Sequence, residues 1–457
     1  MNLQEQMMKI ITDASRISTN ESILQQHGTG LTYHEGKLPD IVVYPKEKEE
    51  VQEIVRFADA NEIPIVPFGV GSSLEGQTIP QHGGISLDFS QMNEIISVDA
   101  EDFIAVVQPG VTRGQLNEHL KNKGLFFPVD PGVDATIGGM TATNASGTNS
   151  VKYGVTRDQI LALEVVLADG RIIKSGSHAM KSSSGYSLKD LFIGSEGTLG
   201  IFTEITLRLH GIPEEHLVAR TCFSTIDQAG TAALQMLQSG IPIGKLELVD
   251  ADTIEAVNKY LQLDFPIAHS LFIECSGSKQ EVTEQIKVIQ EIAKLESCKS
   301  FDYESDTLGK STLWDARHQA GMAIAAAHPG KKLMSTDVCV PISSLPEAIM
   351  HARQVVEENE ISASIFGHVG DGNFHVVLAI DLENPSSLDQ ALAINEKIVQ
   401  NALHAGGTCS GEHGIGTGKR QYLTIEHGKS LQVMKELKTH FDPKNILNPG
   451  ILIETNN

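Results

Sequence analysis

Cysteine is scarce in this chain: 5 in 457 residues, at Cys222, Cys275, Cys298, Cys339 and Cys409. None sits in a CxxC pair or at a zinc-ribbon spacing, so the chain carries no ligand set for its own iron–sulfur cluster and no disulfide framework. A reducing compartment is the simple expectation. Positive charge is also short. There are 35 Lys and Arg against 58 Asp and Glu, a net charge of -23. That excludes a nucleic-acid surface and a polybasic membrane patch. No apolar run approaches the roughly 20 residues of a membrane span. The N-terminal stretch MNLQEQMMKIITDA lacks the basic start and apolar core of a signal peptide, and it is not Arg-rich like a transit peptide. A soluble, cytoplasmic protein is expected. No internal repeat or low-complexity tract stands out. The length is too great for one core and implies two or three domains.

What is present falls into two textures. Residues 1–37 read as a helical lead-in and a polar loop. A β-α-β unit follows: strand Ile41 to Tyr44, helix Lys46 to Asn61 with Val51, Ile54, Val55 and Ala58 on one face, and strand Ile63 to Val66. It delivers the chain to PFGVGSSLEG at 67–76. This is not a Rossmann turn, because Leu74 stands at the third glycine and no helix follows at once. Small residues in succession let backbone N–H groups converge on an anion. A pyrophosphate cradle and a plain surface loop both fit, and the β-α-β entry favours the cradle.

A second small-residue run, ATIGGMTATNASG at 135–147, suggests backbone lying against a large flat ligand, with Thr143 and Asn144 as polar anchors. Close helix–strand packing is the alternative. A third run, DLFIGSEGTLG at 190–200, holds Glu196, either an acceptor for a hydroxyl-rich ligand or a solvated loop carboxylate. A hairpin joins Leu161–Ala168 to Ile172–Lys174, and HGIPEE at 210–215 is a candidate domain boundary. Beyond it strands and helices alternate, including a long helix expected over Lys310–His328 with Trp314, Arg317 and His318.

In the last quarter stands FGHVGDGNFH at 366–375. Asp371-Gly372 suits a two-residue hairpin turn, because both positions need φ > 0. That turn would set His368 opposite His375, with Cβ atoms about 5 Å apart. Two imidazoles so placed can share one metal ion. CSGEHGIGTGK at 409–419 offers a third ligand in Glu412 or His413. Two His and a carboxylate suit zinc or manganese. Among 17 His a chance pair and a bare glycine turn account for the pattern equally well. Gly414–Lys419 is not a Walker loop: His413 stands at its first glycine and Arg420 at its Ser/Thr.

These motifs together resemble a known family. PFGVGSSLEG at 67–76, PVDPGVDATIGGMTATNASG at 128–147 and IGSEGTLGIFTEITLRL at 193–209 are similar to the FAD loops of the vanillyl-alcohol oxidase/para-cresol methylhydroxylase family. LWDARHQA at 313–320, STDVCVPISSLPE at 335–347, FGHVGDGNFH and CSGEHGIGTGKR at 409–420 resemble its D-2-hydroxyacid dehydrogenase branch. That branch holds the mitochondrial-type D-lactate dehydrogenases and the flavin subunit of glycolate oxidase.

The resemblance implies an α+β protein: an FAD-binding domain at 38–213 of para-cresol methylhydroxylase type, and an α+β substrate- and metal-binding domain at 214–457 with a ferredoxin-like sheet. It places FAD against Pro67, Phe68, Gly69, Val70, Gly71, Ser72, Ser73 and Leu74 in the first loop. Pro131, Thr136, Gly138, Gly139, Thr143, Asn144 and Gly147 serve in the second, and Glu196, Gly197, Gly200 and Ile201 in the third, with Asn448 from the tail. Ser72 and Ser73 stand where members with covalent flavin carry His, so the FAD is expected to be non-covalent.

The resemblance also makes His368, His375 and Glu412 the ligands of a divalent metal, zinc or manganese. His413 becomes the catalytic base, and Arg317 the residue that binds the substrate carboxylate. Members acting on diacids carry a Lys just before Asp337. Here Ser335 stands there, against 2-hydroxyglutarate. The implied reaction is FAD-dependent oxidation of a small D-2-hydroxy acid, D-lactate first. The flavin takes the hydride, the metal polarises the hydroxyl and His413 takes its proton. Reoxidation calls for a quinone, a cytochrome or an iron–sulfur partner subunit. The alternatives are the flavin subunit of a multi-subunit glycolate oxidase, and a flavin- and metal-binding protein without redox turnover.

Overall fold

The computed structural model describes residues 2–359 and 361–454. The chain divides into two compact units, and neither is a single stretch of sequence. The first comprises the described residues up to Ser146, then Gly154–Ile212, then those from Glu412 onward. The second comprises Gly147–Tyr153 and Pro213–Gly411. One crossing between the units falls at Ile212/Pro213, and the segment from Glu412 onward groups with the first unit.

In the first unit, strands Ile41–Val43 and Ile65–Phe68 flank Ile85–Asp88, all parallel, and the short Ile17–Ser18 closes the sheet on the far side of Ile41–Val43. Helix Lys48–Asn61 makes the crossover and buries Val51, Ile54, Val55 and Ala58 on one stripe, the expected amphipathic face. It ends at Glu62, which takes a left-handed φ of 53°. The N-terminal lead-in belongs to this core: Met7 and Ile11 are fully buried in it. The tail does too, since Ile65 and Leu447 form a parallel bridge and Ile446 and Leu447 join the same cluster. A second, antiparallel sheet of five strands runs in the order Ile95–Asp99, Ile104–Val107, Ile201–Arg208, Ile160–Val166, Ile172–Gly176.

In the second unit, strands Glu215–Phe223, Ile243–Val249, His269–Gly277 and Ser300–Glu304 form an antiparallel sheet in spatial order 4-1-3-2 by chain position. With helices Ile226–Gln238 and Lys279–Leu295 this is the ferredoxin-like β-α-β-β-α-β arrangement, with helix Ala251–Leu261 inserted. A further β-α-β-β-α run repeats the pattern: Lys332–Ser335, helix Leu345–Glu358, Ala363–Gly367, Asn373–Ile380 and helix Pro385–His404. The two halves join where Ile243–Val249 pairs with Ala363–Gly367, in the register Leu248↔Gly367 and Val249↔Phe366.

The long helix expected over Lys310–His328 is two helices, Thr307–His318 and Ala320–Ala327. They break at Gln319 (φ -89°, ψ 6°). The break lets Leu313, Trp314 and Ala316 of one helix and Ala320 and Ala323 of the next enter one core cluster. Strand Ser300–Glu304 has no counterpart in the sequence reading. Among the described residues no helix is long and apolar enough to cross a membrane.

Candidate active site

The flavin-type loops lie in the first unit. Strand Ile65–Phe68 includes Pro67 and Phe68 of the first loop, and Phe68 packs its ring on His27 with centroids 4.3 Å apart. Gly71 follows with φ +68°. A Cβ on Gly69 would lie 2.4 Å from Thr136 Oγ1, and one on Gly197 would lie 2.9 Å from Pro67 Cγ. The first loop thus touches both the second and the third.

The run at 135–147, read as backbone against a ligand, contains a helix, Ile137–Thr143, capped by the Thr136 side chain and ended by Asn144 in the left-handed region. Its expected polar anchors are partly committed: Thr143 Oγ1 donates to Gly139 O at 3.2 Å, and Asn144 Oδ1 accepts from Arg157 N–H at 2.9 Å. Gly138 is small because Pro109 is there, and Gly200 because Val165 is there. Ile201 is core. Gly147 falls in the second unit, where its N–H donates to Ser150 Oγ. Val70 is half exposed, and Gly139, Ser72, Leu74 and Pro131 are partly buried on their loops.

Buried polar atoms are nearly always paired. Three around these loops are not: Ser73 Oγ, Ser195 Oγ and Asn448 Oδ1. Asn448, 3% exposed, spends its amide nitrogen on Gln77 O at 3.0 Å and Glu196 O at 2.8 Å. Its oxygen is left over. A polyhydroxy, phosphate-bearing ligand such as FAD would supply the missing partners, and the loops fit it on that count.

Glu196 is not a solvated carboxylate. It is 4% exposed, sits at φ 51°, and accepts from the N–H of Ile415 at 2.6 Å and of Gly416 at 2.8 Å. Burial pushes its carboxyl up to about 7, against the two backbone donors. It holds the loop that carries Glu412 and His413. Gln77 donates to the His413 carbonyl at 2.6 Å, Ser146 Oγ donates to Glu412 Oε2 at 3.0 Å, and buried Glu75 pairs with buried Lys419 at 3.3 Å. The His413 ring stands 3.9 Å from the Glu412 carboxylate.

The two imidazoles lie in the second unit. The turn differs from the expected one: Phe366 pairs with His375, and the strands stop at Gly367 and Asn373. Of Asp371 and Gly372 only Gly372 has positive φ, +89°. A Cβ there would lie 2.2 Å from Val340 O. The turn is therefore pinned by Val340 and widens to 368–372. His368 and His375 become diagonal neighbours, which still brings long or ring side chains together. Their centroids are 5.7 Å apart at 89°.

Each ring has its Nδ1 against an acceptor. For His368 it is Glu247, at 2.8 and 2.9 Å. For His375 it is Thr336 O at 3.2 Å, with Asp337 Oδ1 3.8 Å away. A carbonyl and an ionised carboxylate only accept, so both Nδ1 carry hydrogen, and Nε2 is the atom of each ring that a metal would take. That is the state of metal-binding histidines, which donate their other ring N–H to a carboxylate or carbonyl.

Glu247 was not foreseen. The register at Leu248↔Gly367 places it beside His368. It is fully buried and also accepts from Arg317, Nε at 2.8 Å and Nη2 at 2.6 Å. Burial alone would raise its carboxyl, but His368 and Arg317 outweigh that and leave it lowered. Arg317 comes from the last turn of Thr307–His318, is 6% exposed, and stacks its guanidinium over Phe366 at 5.0 Å. Two of its nitrogens face Glu247. Asp337, fully buried, accepts from Asn373 Nδ2 at 2.8 Å and Ser410 Oγ at 2.9 Å.

Residues 212–452 match the family model for FAD linked oxidases, C-terminal domain, and residues 39–176 the FAD binding domain model. "Probable D-lactate dehydrogenase, mitochondrial" of Danio rerio is 42% identical over 97% of this chain and 90% of its own length. "Glycolate oxidase subunit GlcD" of Bacillus subtilis is 36% identical over 90% of this chain and 88% of its own. The solved structure of p-cresol methylhydroxylase with substrate bound shares the fold, with a TM-score of 0.82 at 18% identity over 99% of this chain and 97% of that one. The chain is thus an oxidoreductase belonging to the FAD-linked oxidases of the vanillyl-alcohol oxidase/para-cresol methylhydroxylase type.

Proposed function

We propose that the protein oxidises a small D-2-hydroxy acid, D-lactate first, to the 2-oxo acid. The observation that carries the metal half of this reading is the pair of imidazoles with both Nδ1 atoms committed to acceptors. The relatives' names supply the substrate class. Bound FAD supplies the hydride acceptor that no side chain can provide. A divalent ion, zinc or manganese, held by His368, His375 and Glu412 would acidify the substrate hydroxyl.

The chain's own residues do the rest. His413 accepts the hydroxyl proton, a task suited to a neutral imidazole near neutral pH. Arg317 receives the substrate carboxylate through the edge of its guanidinium turned away from Glu247. Fixing carboxylate and hydroxyl leaves one orientation for the Cα hydrogen, which selects the hand. Ser335 in place of a lysine leaves a second carboxylate without a cation, so 2-hydroxyglutarate is a poor substrate. Glycolate lacks only the methyl, worth ~0.8 kcal/mol on burial, so D-lactate is preferred by a few-fold.

Purified protein is expected to be yellow and to bleach with D-lactate under anaerobic conditions. Steady-state rates on D-lactate, L-lactate, glycolate and D-2-hydroxyglutarate, with an artificial dye as acceptor, test the substrate. L-lactate as best substrate would overturn the geometry. D-2-hydroxyglutarate as best would show another cation at work. His368→Ala and His375→Ala are each expected to lose the ion and turnover while the flavin spectrum stays, since the flavin loops belong to the other unit. The same loss is expected of Glu412→Ala. The physiological acceptor is a quinone, a cytochrome or an iron–sulfur partner. The likeness to GlcD favours testing a subunit role: a partner that co-purifies and alone restores quinone reduction would establish it.

A further inference from the structure

We propose that Glu247 is a positioning residue that sets the metal-binding tautomer of His368 and, through the same carboxylate, fixes Arg317 at a set distance from the ion. This deepens the reading that His368 and His375 hold a divalent metal and rests on it.

A carboxylate with no exposure is costly unless cations and donors surround it. Arg317 alone would satisfy that need, through Nε and Nη2 on one oxygen, Oε2. A plain structural ion pair would stop there. Here the other oxygen, Oε1, lies 2.8 Å from His368 Nδ1, and Oε2 itself lies 2.9 Å from the same nitrogen. The His368 ring thus faces both oxygens at nearly equal distance.

The contact is built into the sheet. Pairing of Leu248 with Gly367 carries Glu247 alongside His368 where the two halves of the second unit join. Phe366, the residue stacked under the Arg317 guanidinium, is paired with Val249 in the same register. One strand pair therefore sets His368, a ligand of the proposed ion, and Phe366, the ring under the Arg317 guanidinium, beside one carboxylate. The spacing of hydroxyl and carboxylate on a 2-hydroxy acid is fixed, so a fixed spacing between their receptors favours the productive pose.

The test compares Glu247→Gln, Glu247→Asp and His368→Ala with the wild type in the full-length flavoprotein. The proteins are stripped by chelator and titrated with Zn2+ or Mn2+, and metal content is read after equilibration against buffered metal. Glu247→Gln is expected to bind the ion about 10- to 100-fold more weakly, the usual effect of losing such a partner. Its flavin content should be unchanged. At saturating metal, kcat should recover while KM for D-lactate stays raised, because Arg317 has lost its anchor. A merely structural residue would move none of these separately from the melting temperature. Should the glutamine variant fail to fold, Glu247→Asp decides, since it keeps a charge opposite Arg317 while drawing back from His368. It is expected to show the same loss of metal affinity. Metal affinity within two-fold of wild type in the folded Glu247 variants, with His368→Ala deficient, would overturn the role of Glu247 and leave the metal site standing. Undiminished metal binding in His368→Ala would overturn the metal site itself.

Discussion

Two buried glutamates show how one residue type serves opposite ends. Glu247 lies between an arginine and an imidazole and is held ionised. Glu196 faces backbone N–H groups and the Gln77 side chain, and burial pushes its carboxyl up to about 7. The sign of the pH dependence follows. The folded protein holds the Glu196 proton to higher pH than the unfolded chain, whose carboxyl has the ordinary value of 4.5. Its contribution to stability is complete below 4.5 and is lost as pH rises through 7. The ceiling is on the order of 3 kcal/mol at 1.36 kcal/mol per unit. Glu196→Gln cannot ionise, so the wild-type melting temperature is expected to fall relative to the variant between pH 5 and pH 8. Parallel melting curves would show that Glu196 does not titrate in that window. Neither glutamate's role was legible in the sequence. Glu196 stood out as the one charge among small residues, but its partners lie some 220 residues on. Glu247 sits in an ordinary strand pattern, and its partners are 70 and 121 residues away. Local spacing carries no trace of such pairs.

Among elements, alternation and amphipathic period placed most strands and helices, because each has one buried face and the pattern records it. The misses share a cause. The run at 135–147 has too few large side chains to show a period, so its helix was invisible. The histidine hairpin was seen as a hairpin, but its register was set by something remote. Gly372 lies against the Val340 carbonyl, and that contact decides where the strands stop. The two rings still meet, since a shift of two residues in pairing keeps a side chain on its face. This makes Gly372 a sharp test. Gly372→Ala would face both a positive φ and a Cβ 2.2 Å from that carbonyl. It is expected to cost about 1–3 kcal/mol for the backbone conformation alone, more with the clash. Differential scanning calorimetry and metal content should both fall while flavin content holds. A stable variant with full metal would mean the turn is not pinned at Val340.

At the scale of the whole chain, the outcome least visible beforehand is that the flavin-type unit is built from both ends of the sequence. The tail supplies structure and not only site residues. Lys438, 2% exposed, is paired with Asp442 and donates to the carbonyls of Thr198 and Leu447, each at 2.9 Å. Asp442 in turn accepts from the N–H of Ile446 at 3.0 Å and Leu447 at 2.7 Å. That arrangement sets the turn from which Leu447 enters the core and Asn448 reaches Ile65, Gln77 and Glu196. A fragment of residues 1–213, the lead-in together with the FAD-binding domain expected at 38–213, would leave Ile65 without its partner at Ile446 and open the core where Leu447 sits. Loss of a buried leucine or isoleucine side chain costs about 2–5 kcal/mol each, comparable to the whole stability of an ordinary domain. The fragment is therefore expected to melt without a cooperative transition and to bind no FAD. The same fragment joined by a flexible linker to residues 412–457 is expected to recover both. Flavin fluorescence quenching and calorimetry on the two fragments decide it: tight FAD binding by residues 1–213 alone would show that the tail is dispensable to the unit it packs in.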